Sequence, residues 1–186
     1  MNPEQVREFV IAGHGDLDKV KAMLAESPEL LNQAHPWRPG DSETAIQAAA
    51  HVGNRAIAEF LLEAGAPLEI WTALMLGRAH EVRAMLALDP ALAQAISAHG
   101  IPMLPHAALS GEVELLELLA SQGALGAENL ALSLAVAKGH TDVVAWLLGH
   151  TRPDLDWKNF QGKTPLEQAM ETGNTEIQRL LTQHKG

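Results

Sequence analysis

The 186-residue chain predicts an all-α solenoid, six helix pairs stacked in one domain spanning residues 1–186. Three observations carry this. Hydrophobic residues make up 47% of the chain, yet aromatics only 4% with no tyrosine, so Ala and Leu supply the apolar content. That mixture favours close-packed helices over a sheet, which would want Val, Ile, Thr and Tyr. The stretch "HVGNRAIAEFLLEAGA" (His51–Ala66) returns as "LSGEVELLELLASQGA" (Leu109–Ala124), and self-similarity on that scale marks stacked units. Lastly, Gly15, Gly53, Gly77, Gly111, Gly139 and Gly173 each precede a helical run and share a register. Eight residues on stand Met23, Leu61, Met85, Leu119, Leu147 and Leu181, and four residues back stand Ile11, Ala49, Ala73, Ala107, Ala135 and Ala169. A large residue on one helix facing a small one on the next is what close antiparallel helices require.

In chain order, each glycine suits the left-handed turn that ends a first helix. Second helices then carry an i, i+3, i+4 stripe, as in Ile57, Phe60, Leu61, in Leu115, Leu118, Leu119 and in Ile177, Leu180, Leu181. Glycine intervals run 38, 24, 34, 28 and 34, and Gly15–Gly77 equals Gly77–Gly139 at 62. "LDKVKAMLAESPELL" (Leu17–Leu31) is echoed by "AHEVRAMLALDPALA" (Ala79–Ala93), so the chain divides into three two-repeat units. Hairpins are expected after repeats one, three and five only. After Gly65 and Gly123, "APLEIW" and "ALGAEN" leave no room for one. The sixth repeat puts Gln178 and Thr182 where earlier repeats are mostly apolar, as in Val20/Leu24 and Val144/Leu148. A solenoid's last unit has a face without a neighbour. Both residues are expected to be exposed.

"TAIQAAA" (Thr44–Ala50), "TPLEQAM" (Thr164–Met170) and "GHTDVVAWLL" (Gly139–Leu148), with Gly65–Ala66 and Gly123–Ala124, give the chain a likeness over its whole length. It resembles the ankyrin-repeat family, whose repeat opens T-P-L-H-x-A and has a period of about 33 residues. No repeat keeps the motif histidine, whose positions hold Phe9, Gln47, Trp71, Pro105, Ser133 and Glu167. The resemblance implies a concave groove, lined by hairpin tips and first helices, that grips protein partners.

The formal charge is −10, and division at residue 93 leaves −6 and −4, so no basic half is hidden. A polyphosphate would be repelled, and nucleic acid is excluded as a partner. No cysteine is present, so disulfides and thiolate chemistry are absent. The opening "MNPEQVREFVIAG" lacks a signal-peptide pattern and no window reaches the apolar length of a membrane span. A cytoplasmic monomer without membrane association is expected.

Candidate binding residues come from the turn positions and the longest loop. Val52, Met75, Leu76 and Leu109 would form an apolar strip rimmed by His51, Ser110 and Lys138, and Trp71 falls beside Met75 at i, i+4. Trp71, Met75 and Leu76 could equally pack into the gap left by a missing hairpin. In "QAHPWRPGDSE" (Gln33–Glu43), two prolines would hold Trp37 and Arg38 at an extended tip, though Trp37 could fold back as a loop anchor. In "DLDWKNFQGKT" (Asp154–Thr164), Trp157 and Lys158 are offered likewise, with Phe160 expected to pack under the tip.

Nine histidines raise a metal question, but no pair shows i, i+4 spacing and none joins a HExxH pattern. No metal and no cofactor are expected, and His106 reads as a buried, hydrogen-bonded imidazole. Nor is there a nucleophile motif or phosphate-cradling glycine loop. The chain therefore reads as a non-catalytic protein-interaction module, binding a protein through Trp37, Arg38, His51, Val52, Trp71, Met75, Leu76, Leu109 and Lys138. The alternative is a small-ligand binder or enzyme with a pocket near Trp71, Met103 and His106.

Overall fold

The computed structural model describes residues 2–185. Helix pairs follow one another along the chain: α1 (Pro3–Gly13) and α2 (Leu17–Glu26), α3 (Ala45–Val52) and α4 (Arg55–Glu63), α5 (Ile70–Met75) and α6 (Ala79–Leu88). Then come α7 (Met103–Ser110) and α8 (Val113–Ser121), α9 (Glu128–Lys138) and α10 (Thr141–His150), α11 (Pro165–Glu171) and α12 (Thr175–Lys185). First helices pack serially, α1 on α3, then α5, α7, α9 and α11, while α8, α10 and α12 continue the second row. The all-α repeat solenoid is thus the observed architecture. Because α3 also touches α7 past the short α5, the first-helix row is the concave side.

Left-handed glycines end the first helices as their type requires. Gly53, Gly77, Gly111, Gly139 and Gly173 have φ between 70 and 86°, a region cheap only for residues without Cβ. The next amide then reaches back five residues, Asn54 to Ala49 (2.8 Å), Arg78 to Ala73 (2.9 Å), His140 to Ala135 (3.0 Å) and Asn174 to Ala169 (3.2 Å). Repeat one departs. Gly15 is not left-handed, and Asp16 N–H bonds Ala12 only four residues back, at 2.8 Å. The tighter turn shifts the register by one, so Ala12 is buried where the glycine count placed Ile11, and Ile11 faces solvent.

The two echoed stretches build the same object, a ten-residue helix followed by a 3-10 turn at Pro28–Leu30 or Pro90–Gln94. Beyond them the three long connections differ. After repeat one, β1 (Ala34–Arg38) pairs antiparallel with β2 (Asp41–Thr44), Ala34 opposite Thr44. The other two connections, expected as hairpins, carry no strand ladder among the described residues. One holds a second 3-10 turn, Ala98–Gly100, and the other closes through Asn159 N–H to the Lys163 carbonyl at 3.0 Å. The short connections after Gly65 and Gly123 run straight into α5 and α9. There Ala66 and Ala124 amides bond Leu61 and Leu119 carbonyls, each at 2.9 Å.

Two cores result. One gathers repeats one and two, and also takes Met75, Leu76 and Leu109; the other fills repeats three to six, with Trp71 against both. Thr182 is exposed, but Gln178 is half-buried because its amide donates to the Ala169 carbonyl at 3.0 Å. Among the described residues no helix is long and apolar enough to cross a membrane.

Leu61 and Leu119 are fully buried, as their register demands. Leu119→Ala should lower unfolding free energy by about 2–5 kcal/mol, the lost transfer energy plus a cavity. Urea denaturation measures it, and a midpoint equal to wild type would refute the packing register.

Candidate functional site

Between α3 and α9 lies a groove of about 720 Å³. Its apolar walls are Val52, Ile101, Leu130, Leu134, Ala137, Trp157 and Phe160, and its polar edge is His51, Ser133, Lys138, Asn159, Gln161 and Gln168. Helical spacing explains the wall, since Leu130 and Leu134 stand at i, i+4 on α9. The loop before α11 brings Trp157 and Phe160 over them. That loop is held by the Asn159 side chain, which accepts from the Gln161 and Lys163 amides at 2.9 and 3.1 Å. Ser133 Oγ donates to Gln168 Oε1 at 2.8 Å in the floor. At the other end, Lys138 Nζ donates to the Gly53 carbonyl at 3.0 Å, spanning from α9 to the end of α3.

The residues predicted for binding divide into three groups. His51, Val52 and Lys138 line this groove. Met75, Leu76 and Leu109, expected as exposed anchors, are buried in the first core at 1%, 5% and 6% exposure. They fill the space beside the short α5, where no hairpin intervenes. The expected strip is therefore interior packing. Trp37, Arg38 and Trp71 form the third group. Trp37 folds back, half-buried, with its Nε1–H on Glu43 Oε2 at 2.8 Å, so it anchors the hairpin instead of projecting from it. Arg38 is exposed and pairs with Asp41 at 3.1 Å. Trp71 donates to Glu69 Oε2 at 2.9 Å and, with Arg38, borders a shallower cavity of about 440 Å³ between the hairpin and Ile96–Ala98.

Phe160 reverses expectation most sharply, standing 93% exposed on the groove wall. The pocket foreseen at Trp71, Met103 and His106 does not form in that shape. Met103 and His106 are buried at 1% exposure and line neither cavity. His106 Nε2 lies 2.8 Å from Ser97 Oγ, while Nδ1 has no hydrogen-bond partner among the described residues. Burial, reinforced by the His51 charge, pushes its pKa down to about 3 against a pull from the Ala50 backbone, so the ring is neutral at physiological pH.

Beneath the first hairpin lies a further cluster that no local pattern announced. The Glu43 carboxylate is wholly buried. Around it stand His51, with Nδ1 2.8 Å from Oε1, His99, with Nε2 3.3 Å from Oε2, and His14, with Nε2 3.9 Å away. Burial alone would raise the Glu43 pKa, but the His51 contact, the Trp37 N–H and the His14 charge bring it below the usual carboxylate range. The loop residue His99 adopts a left-handed backbone, φ 61°. Its backbone N–H and ring Nδ1 meet Asp41 at 2.8 and 3.2 Å. His14, Glu43 and His51 each present one donor atom within 4.8 Å of the others, a set with the composition of a metal-ligating triad. Three of the nine histidines therefore gather here although none is paired with another by local spacing. With Glu43 they come from four separate segments, so no local spacing could reveal them.

Stacked helix pairs joined through left-handed glycines, with an apolar groove along the first helices, define a repeat-solenoid scaffold. A model of the ankyrin repeat matches residues 41–73, and a model of three ankyrin-repeat copies matches residues 104–186. Together these cover most of the chain, which belongs to the ankyrin-repeat family. Repeats of this family generally serve as protein–protein interaction modules. No curated protein matches the chain.

His106 makes acid stability a test of the interior. The unfolded imidazole takes up a proton below pH 6.5 and the folded one only near 3. Stability is therefore unaffected above that window and falls as pH drops through it, by about 1.4 kcal/mol per pH unit. His106→Leu should flatten this slope, since Ser97 Oγ keeps the Ile101 carbonyl as acceptor at 3.1 Å. Urea titrations at descending pH measure the effect. Equal slopes in the two proteins would exclude a neutral buried imidazole.

Proposed function

We propose that the chain is a non-catalytic interaction module that grips a protein partner along the α3–α9 groove, with the first hairpin as its flank. The observation that supports this most is Phe160, a large ring left almost wholly in water on the wall of an apolar trough. Leu130, Leu134 and Trp157 continue the same surface, and exposed apolar area rimmed by polar groups is the composition of an interaction patch. A solenoid presents such a surface already rigid, so little ordering entropy is lost on binding.

The occupant is an apolar segment of the partner. The trough takes its apolar side chains against Leu130, Leu134, Trp157 and Phe160. His51 and Lys138 on the rim offer donors to the partner's backbone carbonyls. Catalysis has no support in the groove, because its polar edge joins no nucleophile to a base.

A partner isolated from source lysate should bind Phe160→Ala or Leu134→Ala more weakly, by roughly 1–4 kcal/mol each, with the fold intact. Met75→Ala should instead lose thermal stability, being core. Calorimetric titration separates the two classes. Undiminished affinity in a Leu134→Ala/Phe160→Ala double variant would eliminate the groove.

A further inference from the structure

We propose that His14, Glu43 and His51 form a binding site for one divalent transition-metal ion of the zinc class, joining repeat one, the first hairpin and repeat two. The site shares His51 with the rim of the partner groove, but does not depend on the groove being occupied.

Three features of the geometry carry it. First, a fully buried carboxylate needs compensation, and the protein supplies it unevenly. Glu43 Oε2 accepts from Trp37 Nε1–H at 2.8 Å. Oε1 faces His51 Nδ1 at 2.8 Å, yet neither atom completes an aligned hydrogen bond. Both donor atoms are thus close together and left without an aligned hydrogen bond, available to a shared ion. Second, His14 has its Nδ1 against the Val10 and Ile11 carbonyls at 3.2 and 3.3 Å. A proton held there leaves the Nε2 lone pair free on the Glu43 side. This is the outer-sphere arrangement that fixes the tautomer of a metal-bound imidazole. Third, tetrahedral ligands about 2.0–2.1 Å from zinc lie roughly 3.3 Å apart, and the Glu43 distances of 2.8 and 3.9 Å bracket that value.

Two imidazoles and one carboxylate suit zinc and its neighbours. Calcium and magnesium prefer an all-oxygen set. A fourth position remains for water or for His99 Nε2, which Asp41 already orients. The tight first turn explains how the pair of rings arises. Because the turn after α1 is one residue shorter, His14 falls at the place His51 holds in repeat two, and the rings meet edge to face at 4.9 Å.

The test is titration of the untagged, chelator-stripped full chain with Zn²⁺ by calorimetry, and with Co²⁺ by visible absorption. One saturable equivalent, a raised melting temperature and a tetrahedral Co²⁺ spectrum are expected. His14→Gln, His51→Gln and Glu43→Gln should each weaken binding by at least about 100-fold, while His184→Gln leaves it unchanged. His14 is a third exposed, so that variant keeps its fold, as circular dichroism would verify. No saturable binding by the folded wild-type chain, or full binding by folded His14→Gln and His51→Gln, would overturn the proposal.

Discussion

Alanine sets the distance between neighbouring first helices, and the rest of the molecule follows from it. Ala49, Ala73, Ala107, Ala135 and Ala169 are all completely buried in that row. A side chain of one carbon lets backbones approach closely, at little entropic cost in a helix. Between α1 and α3 the approach is closer still, for a Cβ on Gly13 would fall 2.6 Å from the Ala45 carbonyl oxygen. So tight a row bends. Second helices keep bulky Leu61, Leu119 and Leu147 between them, so the stack curves toward its small residues. That curvature brings α9 within reach of α3 and makes a trough of what would otherwise be a flat face.

The sequence was informative where the physics is local. Helix pairing, glycine turns and buried leucines rest on contacts a few residues apart, and repetition multiplied each signal several times. Register errors came from departures by one residue. The glycine count put Ile11 inside, but the shorter turn after α1 put Ala12 there. Exposure proved harder to read than helicity. Met75, Leu76 and Leu109 occupy turn positions that the family resemblance makes surface, yet a six-residue α5 cannot screen its neighbours, so these side chains fill the gap. Phe160 erred in the opposite sense, because loop conformation and not periodicity decides where its ring lies. Leu130 and Leu134 were legible as an i, i+4 pair. Nothing local distinguishes such a pair from core.

Glu43 illustrates a different kind of blindness. A carboxylate at the end of a polar hairpin reads as solvated, and its burial depends on Trp37 closing over one oxygen while helices and a distant loop bring imidazoles to the other. The surrounding residues converge only once the stack exists. Their joint effect is to lower a pKa that burial would have raised, so the group remains an anion where water cannot reach it. Breaking such a centre by removing one member is far worse than never having built it. The hairpin, the third connection and the first two repeats are therefore held by one charge.

Lys138 reaches the Gly53 carbonyl across 85 residues, and Leu109 packs so near that a Cβ on Gly53 would fall 2.8 Å from it. Linear repeat arrays ordinarily grow by addition, each unit contacting only the one before. Here closure of a long loop must precede the last contacts of the second repeat, and that closure is an entropic barrier. A chain emerging from the ribosome has repeats one to three in hand while the opposite wall of its trough is still unsynthesised. Its apolar side stays open until the fifth repeat arrives. The amino-terminal half of the trough is thus completed only by the carboxy-terminal half, so its two walls are coupled across the array.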